Sequence, residues 1–98
     1  MLTGKQKRYL RGLAHELQPI FQVGKGGTNE HMIKQIAEAL ERRELIKVSI
    51  LNNNLEVPQE IAEELASGAG AELVQLIGRT VILYKESREY KQIVLPSN

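Results

Sequence analysis

At 98 residues, with 42% hydrophobic and 26% charged positions, the chain has the composition of a folded protein and room for one domain with one core. The absence of cysteine excludes disulfides, a thiolate metal site and a thiol nucleophile, and no apolar run approaches the length of a membrane span or signal peptide, so a soluble cytosolic protein is expected. The net charge of +1 hides a polarity: residues 1–27 carry net +4, residues 28–78 net −5 and residues 79–98 net +2, and every acid is a glutamate.

The first element reads as a helix over about residues 4–17. Thr3 and Gln6 have capping-box spacing, and Leu10, Leu13, Ala14 and Leu17 form one apolar stripe. At about 100° per residue, Lys5, Arg8, Arg11 and His15 project from the other side, with Lys7 nearby. Pro19 ends this helix and Ile20–Val23 reads as a short strand. After Gly24-Lys25-Gly26-Gly27, Thr28 or Asn29 caps a second helix whose inner stripe is Ile33, Ile36, Ala37 and Leu40. The β-branched run Leu45–Leu51 is a central strand, closed by Asn52-Asn53-Asn54. Pro58 opens a third helix with Ile61, Ala62, Leu65 and Ala66 inward, and Gly68 or Gly70 stops it. Glu72–Ile77 and Thr80–Lys85 flank Gly78-Arg79, a pair suited to a type II′ hairpin.

The order α-β-α-β-α-β-β implies an α/β fold with a mixed four-stranded sheet and packed helices. Residues 1–86 form the domain, and residues 87–98 read as a C-terminal tail in which Ile93, Val94 and Leu95 can dock as an extended segment. The strand order and the seat of the first helix stay open.

Between a strand end and a helix start, the glycine cluster is the most informative motif. Glycines let the backbone approach a ligand closely, unpaired N–H groups and the helix dipole favour an anion there, and Lys25 adds a positive charge. Gly24-x-x-Gly27 also has the spacing of the loop with which KH-type domains clamp a nucleic-acid backbone. A plain tight turn is the competing reading. A dinucleotide fingerprint lacks its third glycine at Asn29, and a Walker loop lacks its lysine after Gly27.

Lys5, Lys7, Arg8 and Arg11 are either a solvated helix face or, if they share a side of the fold with Lys25, a phosphate track. His15 and His31 stand without Cys or Asp, so no metal or other cofactor is expected. Glu60, Glu63 and Glu64 read as a surface helix face, no serine has a triad partnership, and the chain is not expected to be an enzyme. Phe21 and Tyr84 read as core positions within strands, not as base-stacking platforms.

Four segments in order — Leu2-Thr3-Gly4-Lys5-Gln6-Lys7-Arg8-Tyr9-Leu10-Arg11, Val23-Gly24-Lys25-Gly26-Gly27, Glu44-Leu45-Ile46-Lys47-Val48 and Leu76-Ile77-Gly78-Arg79-Thr80-Val81-Ile82-Leu83-Tyr84 — resemble the CRM (chloroplast RNA splicing and ribosome maturation) domain, in particular its small stand-alone bacterial, YhbY-like members. The resemblance spans about residues 1–86 and implies a fold similar to the C-terminal domain of translation initiation factor 3. It further implies noncatalytic RNA binding, on precursors of the large ribosomal subunit and thus in ribosome assembly. The implied RNA-contact residues are Gly24, Lys25, Gly26 and Gly27 with Lys5, Lys7, Arg8 and Arg11, together with Arg79, which matches the Gly-Arg of the terminal hairpin and for which a structural role is also open. A monomer is expected, with ribosomal RNA and ribosomal proteins as partners and no membrane. The alternative is an adaptor that docks its acidic middle on a basic ribosomal protein.

Overall fold

A computed structural model describes residues 1–97, so the last residue of the expected tail, Asn98, lies outside the described residues. The elements are α1 (Gly4–Ala14), β1 (Pro19–Val23), α2 (Glu30–Arg43), β2 (Leu45–Ile50), α3 (Pro58–Ala69), β3 (Glu72–Ile77) and β4 (Thr80–Tyr84), in the order expected. The sheet runs β1-β2-β4-β3, with β1 and β2 parallel and β4 antiparallel to both its neighbours. Strands β2 and β3 therefore point the same way without touching, because the returning arm of the hairpin inserts between them. This is a split β-α-β arrangement.

Strands β2, β3 and β4 feed two cores, because successive side chains point to opposite faces, while β1 contributes Val23 and Phe21 to one of them. Ile46, Val48 and Ile50 of β2 and Val81 and Leu83 of β4 meet Ile36 and Leu40 of α2 and Ile61 and Leu65 of α3. The other face carries Leu45, Val74, Ile82 and Tyr84, covered by Leu10 and Ala14 of α1. Helix α1 thus lies alone on one side of the sheet, and α2 and α3 lie together on the other.

The local rules explain most boundaries. Thr3 and Gln6 form a reciprocal capping box at 3.1 and 3.0 Å. Asn29 caps α2 by accepting from the Met32 N–H at 2.9 Å. Helix α1 stops at Ala14 rather than near residue 17. The chain instead unwinds through bonds from His15 N to Gly12 O and from Leu17 N to Ala14 O. Leu13, expected inside, is 38% exposed at the edge of a stripe that centres on Leu10 and Ala14. Of the two candidate stops for α3, Gly70 is the left-handed cap. Gly68 lies within the helix, where a Cβ would come 2.7 Å from Ile33 Cδ1, so glycine lets α2 and α3 approach closely.

Two glutamates of α2 and its end hold the C-terminal segment. Glu44 joins α2 directly to β2 at a φ of +66°, a strained geometry for a residue with a Cβ. Its buried carboxylate accepts from the backbone N–H groups of Ser87, Gln92 and Ile93 at 2.7, 2.7 and 2.8 Å. Burial pushes its pKa up, and these three donors more than offset that, holding it below the ordinary range. Glu41 accepts from the N–H groups of Arg88 and Glu89 and from the Ser87 hydroxyl. Ile93 and Leu95 then pack against the α1-side core, and Gln6 Nε2 donates to Pro96 O at 3.1 Å.

Candidate nucleic-acid interface

Strand β1 ends at the fully buried Val23, whose carbonyl accepts from Leu51 N at 2.8 Å. The next four residues make a tight turn closed by Gly27 N donating to Gly24 O at 3.0 Å. Gly27 has a φ of +74°, the left-handed backbone that favours glycine, and a Cβ there would sit 2.8 Å from Oε2 at the mobile tip of Glu56. Gly26 is the opposite case. Its φ is not left-handed, it is exposed, and a Cβ would meet nothing within 4 Å. Lys25 beside it is exposed, and among the described residues nothing accepts from the Lys25 or Gly26 amide.

The loop is held from behind by side chains remote in sequence. Asn54, 3% exposed, donates from Nδ2 to Gly24 O at 2.9 Å and accepts from Glu56 N through Oδ1 at 2.9 Å. Arg79 fixes the segment that carries Asn54. Its Nε donates to Ile50 O at 3.1 Å, and one terminal nitrogen donates to Leu51 O and Asn54 O, both at 2.8 Å. The guanidinium expected at an RNA contact is thus turned inward, as a clamp on three carbonyls. Gly78 with its φ of +58° makes the turn that presents Arg79.

Electrostatics at the loop differ from a bare helix N-terminus. Gly27 N is used in the turn, Asn29 caps the helix, and Glu30 already sits in the first turn where a negative charge suits the dipole. Glu56 borders Gly27, and Thr28 Oγ1 donates to Glu64 Oε1 at 2.6 Å. Carboxylates therefore line the α2–α3 side. What is left for an anion is the tip, Lys25 and Gly26.

The basic residues of α1 sit on the sheet face opposite α2 and α3. Lys5 and Arg8 are exposed, while Lys7 and Arg11 are half-buried with their stems along the surface. Arg11 lines a cleft between α1 and the upper part of the sheet. The glycine turn leaves the end of β1 and leads into α2, which packs on the sheet face opposite α1. Phe21 is half-buried against the α2–α3 core and Tyr84 is buried on the α1 side, both as expected of core residues.

The sequence profile of the CRS1/YhbY (CRM) domain matches residues 2–85. The chain belongs to the CRM family. Among its relatives is the Bacillus subtilis protein named "Probable RNA-binding protein YqeI", 67% identical over 98% of this chain and 100% of that one. A Haemophilus influenzae protein named "RNA-binding protein" is 40% identical over 97% of this chain and 95% of its own length. The solution structure of a Staphylococcus aureus protein, 60% identical, superposes with a TM-score of 0.82 over 98% of this chain and 100% of that one.

Two positions of this CRM domain that bear on the candidate site escape a reading of its motifs. Asn54 is one of three successive asparagines and has no local mark that sets it apart. Lys47 interrupts the apolar run of β2, and that interruption is a usable signal: a lone cation in a central strand needs an exit from the core.

Proposed function

We propose that this CRM domain is a noncatalytic RNA-binding protein that acts on the large-subunit precursor during ribosome assembly, as a cytoplasmic monomer. The observation that carries the reading is the tip of the glycine turn: a free lysine and two unengaged amides, rigidly backed by Asn54 and Arg79, on a molecule whose relatives are named for RNA binding. Lys25 and the Lys25 and Gly26 amides take one or two phosphates of a single strand. Gly24 and Gly27 shape the turn, Arg8, Arg11 and Lys7 add phosphate contacts from α1, and Lys5 contributes at longer range. Arg79 positions the loop and does not touch RNA. The exposed carboxylates of α2 and α3, among them Glu38, Glu60 and Glu63, repel RNA from the opposite face and so orient it.

Salt titration tests this. Each phosphate neutralised on a single strand contributes about 0.7 to the slope of log affinity on log salt, so changing Lys25, Arg8 and Arg11 together to Gln should reduce the slope by about 2. Gly26→Asp should fold normally, given the open space around it, and bind weakly. An unchanged slope in the triple variant would remove these residues from the interface. If co-purification with ribosomal proteins survives nuclease treatment, the acidic face is instead an adaptor surface.

A further inference from the structure

The lower half of the α1-side sheet face is apolar and covered by the helix, whereas the upper half is uncovered and mainly polar, with Ile77 as an exposed apolar residue at its edge. Here β2 presents Lys47 and Ser49, and β4 presents Thr80, paired directly with Ser49. Gln22 of β1, paired with Ser49 from the other side, has the same facing. Lys47 is half-buried in a central strand, yet the ion pair among the described residues is Lys91–Glu86 at 3.3 Å, and Lys47 has no acidic partner. A buried protein contact would not favour such a surface, because it would desolvate an unpaired ammonium.

Between this face and the last turn of α1 lies a cleft of about 220 Å³. Arg11, His15, Lys47, Gln75 and Thr80 line it together with the apolar Ala14, Ile77 and Ile82, and no carboxylate does. Gln75 arrives there because β3 bulges between Leu73 and Gln75, which turns Val74 and Gln75 to the same side. The cleft is smaller than the roughly 300–1,000 Å³ of sites that enclose a free drug-sized ligand. It fits one unit of a polymer that continues past both ends.

We propose that this cleft binds one unpaired nucleotide of single-stranded RNA, with the phosphate held by Arg11 and Lys47 and the base lying on Ala14 and Ile82 with its edge read by Gln75 and Thr80. The proposal rests on the RNA-binding reading above and adds to it a place where base identity is sensed. Gln75 offers both an amide donor and an acceptor, and Thr80 a hydroxyl that serves as either, so the edge of a base can be distinguished rather than merely accommodated. The unit must be unpaired, since a duplexed base keeps that edge for its partner. By strand geometry Lys47 lies about 14 Å from Gly24 at the start of the turn, four residues along and one strand across, a span that a single strand running past Ser49 and Gln22 would cover.

The test measures binding of the full chain to short single-stranded homopolymers of U, A and C, and to free UMP, for the wild type, Lys47→Gln, Gln75→Leu, Thr80→Val and Lys25→Gln, with folding checked by thermal melts. The wild type should prefer one homopolymer and bind free UMP far more weakly. Lys47→Gln should weaken every homopolymer by about 3–10-fold and lower the salt slope by about 0.7. Gln75→Leu and Thr80→Val should erase the preference and leave the slope alone. If these three variants match the wild type on all homopolymers while Lys25→Gln loses affinity, the cleft proposal falls and the loop reading stands. If Lys25→Gln is silent and Lys47→Gln weakens binding, the loop reading falls and the cleft stands. Free UMP binding as tightly as the polymers would overturn the assignment of a polymer unit.

Discussion

Replacing Arg79 with Met removes all three guanidinium bonds to Ile50 O, Leu51 O and Asn54 O while keeping a stem of similar length. At about 1 kcal/mol net for each bond, and with a half-buried site where water recovers part of the loss, the variant should be about 2–3 kcal/mol less stable. In a domain of this size that lowers Tm by roughly 10–20 °C and leaves it folded at room temperature. Arg79→Lys, which can reach one carbonyl, should recover about a third of the loss. Because Asn54 transmits the clamp to Gly24, amide exchange at residues 24–27 should accelerate, and RNA affinity should fall with the salt slope unchanged. Thermal melts, amide exchange and salt titration on one preparation check the three effects together. A Met variant that melts within about 2 °C of the wild type, yet loses about 0.7 from the salt slope, would make Arg79 a phosphate contact and refute the clamp.

Three more outcomes follow from individual side chains. The Tyr84 hydroxyl is buried without a partner, and burial together with the charges of Glu44 and Glu86 raises its pKa above the ordinary 10.0, so it stays neutral with nothing to donate to. Tyr84→Phe should be neutral or stabilising by up to about 1 kcal/mol, and a loss larger than that in urea melts would contradict the burial argument. Glu44 has a folded pKa below its ordinary 4.5, so the unfolded chain takes up the proton first as the solution is acidified. The stability it supplies is therefore full above about pH 4.5 and disappears as pH falls through the lower folded value. Tm should be level above about pH 5 and drop below it, with Ser87, Gln92 and Ile93 losing exchange protection first; Glu44→Gln should flatten the profile. Glu56→Gln, which removes the carboxylate beside Gly27, should tighten RNA binding about twofold at low salt and not at high salt, and weaker binding would place Glu56 in the contact surface.

Elements stabilised by neighbours in sequence could be read before the fold was known. The Thr3–Gln6 capping box, Pro58 at the start of α3 and the Gly78 turn each act within a few residues, and each sits where expected. Periodicity likewise located the inner stripes of α2 and α3. Strand order stayed open because it depends on which edges of the sheet the hairpin finds, and the insertion of β4 between β2 and β3 has no local determinant. Gly68 and Gly70 look alike in sequence, and only the packing of Ile33 against Gly68 separates their tasks. At the candidate site, the exposed tip was legible from composition, but its supports were not. Arg79 reaches back 25 to 29 residues to three carbonyls, and Asn54 reaches 30 to Gly24. Backbone carbonyls carry no residue signature, so a side chain serving them looks like any surface polar group. The dipole argument for α2 also needed the structure, since the borders set by Glu56 and Glu64 come from a distant loop and helix.

The clamp on the glycine turn has an implication for the order of events at birth. Synthesis delivers residues 24–27 long before residue 79, and a chain still lacking its final hairpin has no guanidinium to secure the asparagine that steadies the turn. A nascent polypeptide therefore carries an unset grip. On the RNA-binding reading proposed above, a copy without its final hairpin would hold its target more weakly than the finished chain.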